Sequence, residues 1–187
     1  MAEKDIVIPG EFLGTSEEYI SGEGVYSEKG NIYASTVGKV DMDGKERKIR
    51  VIPETDTPPV PKTGDIVVGR VVALKGSMVI VEIAGIKGKE DREMPNCEQA
   101  VIHISNIRKG YVGELNHEFG YHDIVKARVL DARMLRLTTV DRDLGVIKAF
   151  CSRCRAELRL KNRRLECPRC ENVETRKISQ DYGKGII

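Results

Sequence analysis

The residues best placed to do chemistry are four cysteines near the C-terminal end. Residues 151–170 read CSRCRAELRLKNRRLECPRC, so Cys151 and Cys154 form one C-x2-C and Cys167 and Cys170 another, with twelve residues between. Each pair suits a tight knuckle turn whose backbone N–H groups face the sulfurs, and two knuckles at the base of a hairpin bring four thiolates around one tetrahedral Zn²⁺. The intervening AELRLKNRRLE alternates around Lys161-Asn162, as a ribbon hairpin requires. A redox C-x-x-C or a disulfide pair competes with this reading. The N-terminal MAEKDIVIPG lacks an apolar signal core, so a reducing compartment is expected, and redox motifs rarely come as a spaced duplicate. With cysteine at all four positions, no coordination site stays open for catalysis. The fifth cysteine, Cys97, reads as a free thiol without a role.

Other catalytic groups are sparse. His103, His117 and His122 are scattered, and Asp131, Asp141 and Asp143 form the nearest approach to a two-metal carboxylate cluster. These aspartates sit at expected strand ends and turns, where the residue is common for its local hydrogen bonding. P-loop, dinucleotide, nucleophile-elbow and kinase phrases are absent from the sequence. An enzyme is not expected.

The elements that must carry these groups read as strands. From Gly64 to Val140 the chain offers GDIVVGRVVALKGSMVIVEI, AVIHIS, DIVKARVL and ARMLRLTTV, short β-branched runs split by Gly76 and by polar loops. About five strands in this length predict a small closed Greek-key barrel of the OB type. Alternation sorts the faces. Val79, Val81, Ile83, Ile102, Ile104, Val125, Ala127, Val129, Leu135 and Leu137 fill the barrel, and the opposite set forms a wall carrying His103, Lys126, Arg128 and Arg136. With Arg133 beside them, these residues are the candidate functional face. The alternating, glycine-dense residues 1–52 read as a small β domain with a hairpin at Asp43-Gly44, and the tyrosines Tyr19, Tyr26 and Tyr33 read as half-buried β residues. Residues 53–63 hold Pro53, Pro58, Pro59 and Pro61, a stiff extended connector. The organisation expected is all-β: an N-terminal β domain (1–52), the connector (53–63), a five-stranded OB barrel (64–147) and a zinc ribbon (148–187), the last two rigidly coupled.

Charge separates the ends of the chain. Residues 1–62 carry 8 basic and 12 acidic side chains, and residues 148–187 carry 11 basic and 5 acidic. An acidic head and a basic tail suit different partners. In the ribbon, Arg153, Arg155, Arg159, Lys161, Arg163, Arg164 and Arg169 could meet RNA phosphate or an acidic protein surface. No apolar run approaches the roughly 20 residues of a membrane helix, so a cytoplasmic protein that does not engage membranes is expected.

The phrases GDIVVGRVV, HIS, VKARVL and RLT, in that order and spacing, resemble the RNA-binding OB barrel first described in ribosomal protein S-one. The resemblance implies RNA on the face of the second, third and fifth barrel strands. Stacking aromatics of that family would fall near Met78 and Val101, neither of which is aromatic. Stacking contributes about 1–3 kcal/mol per base, so weak binding, mainly through phosphates, is expected. Taken whole, the chain resembles the archaeal RNA exosome cap subunit with one such barrel and a C-terminal zinc ribbon. Pro9, Gly10, Glu11, Leu13 and Gly14 match that family's N-terminal phrase, and Cys151, Cys154, Cys167 and Cys170 match its ribbon. The resemblance implies a non-catalytic subunit whose head docks on a hexameric ring of RNase-PH-like subunits. It further implies a barrel lining the RNA entry pore, three caps per ring, and a primase-like protein contacted through the ribbon. A free-standing RNA-binding factor of transcription or translation, and an RNase using the aspartates, are the competing functions.

Overall fold

A computed structural model describes residues 6–56, 58–89, 94, 99–162 and 164–185. The chain divides into two compact units, residues 1–57 and 58–187. Cys97, Arg163 and most of the polar loop between residues 87 and 98 lie outside the described residues.

The first unit contains two three-stranded sheets. Strands β1 (Phe12–Thr15), β4 (Asn31–Ala34) and β3 (Val25–Glu28) form one, with β4 central. Strands β2 (Ile20–Ser21), β6 (Lys48–Pro53) and β5 (Gly38–Asp43) form the other, with β6 central. Their shared core is small: Val7, Ala34 and Val51, with Leu13, Val25 and Val40 packed against it. The PGExLG phrase builds its entrance. Glu11 N donates to Ile8 O at 3.1 Å across Pro9-Gly10, and Gly10 has φ +86°. Proline then glycine at these two positions is the signature of a type II turn, whose second corner needs a left-handed residue. The expected hairpin at Asp43 is present, but its turn is longer than Asp-Gly alone. Asp43 pairs with Lys48. The Asp43 carboxylate accepts from the amides of Lys45 and Glu46, and Arg47, not Gly44, takes the left-handed conformation.

The second unit begins with the barrel. Strands β7 (Ile66–Lys75), β8 (Met78–Ile86), β9 (Gln99–His103), β10 (Ile124–Asp131) and β11 (Arg136–Thr138) pair in the order β11-β9-β8-β7-β10. A further pairing of β11 with β10 closes the cylinder. Only β9 and β11 run parallel among these five. The interior follows the alternation: Val79, Val81, Ile83, Ile102, Val125, Ala127, Val129 and Leu137 are all buried, with Val67 and Val71 from β7. Ile104 leaves the strand pattern to begin a one-turn 3₁₀ helix, Ile104–Asn106, and is only half-buried, as is Leu135. A second such turn, Leu115–His117, buries Leu115 beside Phe119, plugging an end of the core.

Strand β12 (Gly145–Lys148) adds to β10 outside the closed cylinder, then leads into the ribbon: β13 (Arg159–Lys161), β14 (Arg164–Glu166) and β15 (Val173–Glu174). Barrel and ribbon share one core, which runs from Val146 and Ala149 into Cys151, Leu158, Leu165 and Cys167. After β15 the chain returns to the barrel as an irregular strap over residues 175–185. Val146 N donates to Lys177 O at 2.7 Å, Ser179 N to Val146 O at 3.0 Å, and Lys177 N to Glu118 O at 2.9 Å. Gly145 makes this approach possible. A Cβ there would stand 2.3 Å from Lys177 O, and its φ of +130° is closed to most side chains.

Candidate metal centre and nucleic-acid interface

The cysteine cluster is two copies of one knuckle. In the first, Arg155 N donates to Cys151 O at 3.0 Å and Cys151 N to Ala156 O at 2.8 Å. In the second, Glu171 N donates to Cys167 O at 3.0 Å and Cys167 N to Asn172 O at 2.9 Å. The residue four beyond each leading cysteine, Arg155 or Glu171, is left-handed, with φ +62° and +57°. In the second knuckle the Arg169 and Cys170 amides face the Cys167 sulfur and the Asn172 amide faces that of Cys170. Such a nest of N–H groups stabilises negative sulfur.

All four Sγ atoms lie within 4.8 Å of one another. Cys151 and Cys170 sulfurs are 3.6 Å apart, and those of Cys154 and Cys167 are 3.3 Å apart. These separations are far beyond a disulfide bond of about 2.05 Å. They approach the roughly 3.8 Å edge of a tetrahedron with metal–sulfur bonds of about 2.3 Å. The donor set and its spacing fit one tetrahedral metal ion. The electrostatics agree. Burial pushes the Cys167 thiol up, but the Cys170 and Arg169 amides and the Cys154 and Cys170 thiols outweigh it, holding it at about 6. At Cys170 the Asn172 amide pulls down, yet burial and the Cys167, Cys154 and Cys151 sulfurs push it up to about 12. Negative charge formed on one sulfur opposes ionisation of another, and a cation at the centre removes that conflict.

The expected basic wall divides into two regions. Cross-strand pairing puts Met78 opposite His103, Ile80 opposite Val101, and Val101 beside Arg136, all on the outer face of β8, β9 and β11. Met78, His103, Arg133, Met134 and Arg136 are exposed. His103, Arg133 and Arg136 form no ion pair among the described residues. His103 Nδ1 shares a hydrogen bond with Ser105 Oγ at 2.8 Å, and the Asp131 carboxylate caps the turn that presents Arg133 and Met134.

Lys126 departs from the expectation. It is buried, with Nζ 2.7 Å from Asp181 Oδ2 on the strap, so it does not stand on the open wall. The alternation put Lys126 outside the barrel correctly, but residues 175–185 cover that part of the outside. Arg128, half-buried, is held by Asp141 at 2.9 Å. Lys126 is therefore withdrawn from the open face, whereas Arg128 stands opposite Thr138 of the adjoining strand β11.

The five residues of the N-terminal phrase have distinct placements. Pro9 and Gly10 are exposed at the turn, Glu11 accepts from Ile8 N at 3.2 Å, Leu13 packs on the small core, and Gly14 is buried against the Tyr19 ring. Across the same sheet, Phe12, Tyr33 and Tyr26 form a row, with Tyr26 and Tyr33 stacked at 5.5 Å and Phe12 edge-on at 6.0 Å. Tyr19 and Tyr33 are half-buried as expected, while Tyr26 is exposed. The sequence reading missed the strap and its buried ion pairs. Arg176 and Asp181 lay in a stretch with no alternation to flag them. Among the described residues, no helix is long and apolar enough to cross a membrane.

Two family models match the chain. One, described as "Exosome complex exonuclease RRP4 N-terminal region", matches residues 6–43. The other, described as "Exosome component EXOSC1/CSL4", matches residues 60–163. The chain is 44% identical to the exosome complex component Csl4 of Archaeoglobus fulgidus over 181 residues, 96% of this chain and 97% of that one. It is 28% identical to the exosome complex component CSL4 of Mus musculus, over 92% of each chain. It is also 45% identical to the exosome complex component Rrp4 of Methanobrevibacter smithii, over 68% of this chain and 38% of that one.

Proposed function

This chain belongs to the Csl4 family of exosome components, and from that premise we propose that it is a non-catalytic, RNA-binding cap subunit. In this reading the head docks on a hexameric ring of RNase-PH-like subunits, using the surface around Pro9, Gly10, Glu11, Leu13 and Gly14. The barrel guides RNA toward the pore for degradation from the 3′ end. The four cysteines hold one structural Zn²⁺, the ribbon side meets a primase-like protein, and the complex works in the cytoplasm.

The observation that carries the reading is the similarity to an archaeal Csl4 through head, barrel and ribbon alike. The chemistry is compatible with it. The open face of β8, β9 and β11 offers Arg133, Arg136 and His103 to phosphate, with Met78 and Val101 where a stacking aromatic would otherwise stand. Such a face grips backbone charge without reading sequence. Two of the three aspartates are occupied: Asp131 caps a turn and Asp141 holds Arg128. The deciding experiment is affinity purification of the tagged chain from its own cells. Recovery of RNase-PH-like subunits at fixed stoichiometry supports the cap. Recovery of ribosomes or RNA polymerase without them supports a free-standing RNA-binding factor instead.

A further inference from the structure

A cleft of about 450 Å³ opens between the barrel and the ribbon, with no cysteine in its lining. That volume falls within the roughly 300–1,000 Å³ of small-ligand sites, enough for one nucleotide and too small for a duplex. Its walls combine three kinds of group. Tyr121, from the loop before β10, is 48% exposed, and Phe150, from the end of β12, presents a second ring. Arg153 and Arg155 project from the first knuckle; both are exposed, and neither forms an ion pair or side-chain hydrogen bond among the described residues. The carboxylate at the floor, Glu174, is already engaged by Ser152, Asn172 and Arg176. The charge offered to a ligand is therefore the pair of guanidiniums.

We propose that this cleft binds one unpaired nucleotide of RNA, with the base against Tyr121 and the phosphate held by Arg153 and Arg155. Guanidiniums alone would equally suit an acidic peptide. The exposed aromatic ring beside them favours a base, because every base has a face to stack and an acidic side chain has none. The site also supplies what the barrel face lacks, an aromatic platform. The proposal rests on the RNA-binding reading but is separable from it.

The test uses the full chain, metal-loaded, with an end-labelled oligouridylate of about ten nucleotides, followed by fluorescence anisotropy across a salt series. Tyr121→Ala is expected to weaken binding roughly 5- to 150-fold. Arg153→Gln combined with Arg155→Asn, the asparagine chosen for the left-handed position, should make the slope of log affinity on log salt shallower by about 0.7, the share of the one phosphate they hold. Metal content measured on each variant separates loss of contact from loss of the knuckle, and Tyr121 lies outside the ribbon. With 4-thiouridine in the RNA, photocrosslinks should map to the peptide containing Tyr121. If only Arg133 and Arg136 variants weaken binding, and crosslinks fall on β8, β9 and β11 alone, the cleft proposal is overturned while RNA binding stands. If no RNA binds, both fall. If oligoglutamate binds in the cleft and RNA does not, the site is a protein dock and the proposal is overturned.

Discussion

Arg176 Nε donates to Asp123 Oδ2 at 2.7 Å, with both side chains almost completely buried. Asp123 also accepts from Gly120 N at 2.7 Å and from Phe150 N at 3.0 Å, while Arg176 donates to Thr175 O and Glu174. One ion pair thus ties the loop before β10, the exit of β12 and the strap after β15. Such a pair is not an inexpensive source of stability, because both charges lose their water. Its consequence is geometric, since it holds barrel and ribbon in one arrangement.

Losses at the two partners should therefore not add. Asp123→Ala leaves the Arg176 guanidinium buried without its main acceptor, and a loss of about 3–5 kcal/mol is expected. The double change Asp123→Ala with Arg176→Met should cost clearly less than the sum of the two single changes. Urea denaturation of the four members of this cycle measures the coupling. Additive losses would mean that the strap relaxes and water reaches the pair.

Acid should release the strap before it unfolds the barrel. The Lys126 ammonium beside Asp181 holds that carboxyl below its ordinary value. Burial raises Glu174, but the Ser152 amide, Arg176 and the Ser152 hydroxyl outweigh it and hold it down too. A carboxylate lowered in the folded state contributes stability above its unfolded pKa, near 4, and the contribution disappears as pH falls through the lower folded value. Hydrogen exchange at Lys177 N and Ser179 N should therefore accelerate as pH falls below about 4, after correction for intrinsic rates, while β7 and β8 amides remain protected. Simultaneous loss everywhere would place the strap and barrel in one cooperative unit.

The ribbon should depend on its metal. Cys151, Cys154, Cys167 and Cys170 surround one centre, and among the described residues Leu158 and Leu165 are the ribbon's large fully buried side chains. So small a core leaves metal binding to supply much of the folding free energy. Metal analysis should find about one zinc per chain. Cys167→Ser should lose it and expose the ribbon to protease. Full protection of a metal-free ribbon would refute the assignment.

Barrel and knuckles were legible because both repeat a short rule. Two-residue alternation separated Val79, Val81 and Ile83 from Met78, Ile80 and Glu82, and the C-x2-C spacing fixed the turns. Lys126 shows the limit. Alternation says which side of a strand a residue takes, not whether a distant segment covers that side. Asp181 is fifty-five positions away from Lys126, and no local pattern reports such a pairing. Arg47, left-handed beside a more obvious glycine, was hidden for a related reason: Asp43 binds the turn amides and selects the longer loop.

The division of the wall gives opposite expectations for residues that look alike in sequence. Changing Arg133 and Arg136 together to Ala should weaken RNA binding and make the salt slope shallower by about 1.4, with the melting temperature little changed. Lys126→Ala should lower the melting temperature and leave the slope intact, because its ammonium already serves Asp181. Anisotropy titrations and thermal melts on the same preparations distinguish the two. A reduced slope in a well-folded Lys126→Ala would show that RNA displaces the strap.

The head is the expected attachment module, and the unit boundary defines how to test it. Residues 58–187 form a compact unit with a core of their own, so removing residues 1–57 should leave a soluble chain that keeps its metal and still binds RNA weakly. The head's own core is much smaller, and Ile8, Phe12 and Tyr26 remain exposed around the Pro9-Gly10 turn and its sheet. Apolar groups in that setting gain by burial against another protein, at roughly 25 cal/mol per Å² covered. The truncated chain should consequently fail to co-purify with RNase-PH-like subunits. RNA decay by the reconstituted complex should slow more on long substrates than on short ones, since grip near the entrance matters only while RNA extends beyond it. A gentler variant, Phe12→Ser with Tyr26→Ser, should weaken assembly without removing the head. If the chain lacking residues 1–57 still assembles on the ring, while loss of residues 148–187 prevents it, the basic ribbon is the dock and the division of labour is reversed.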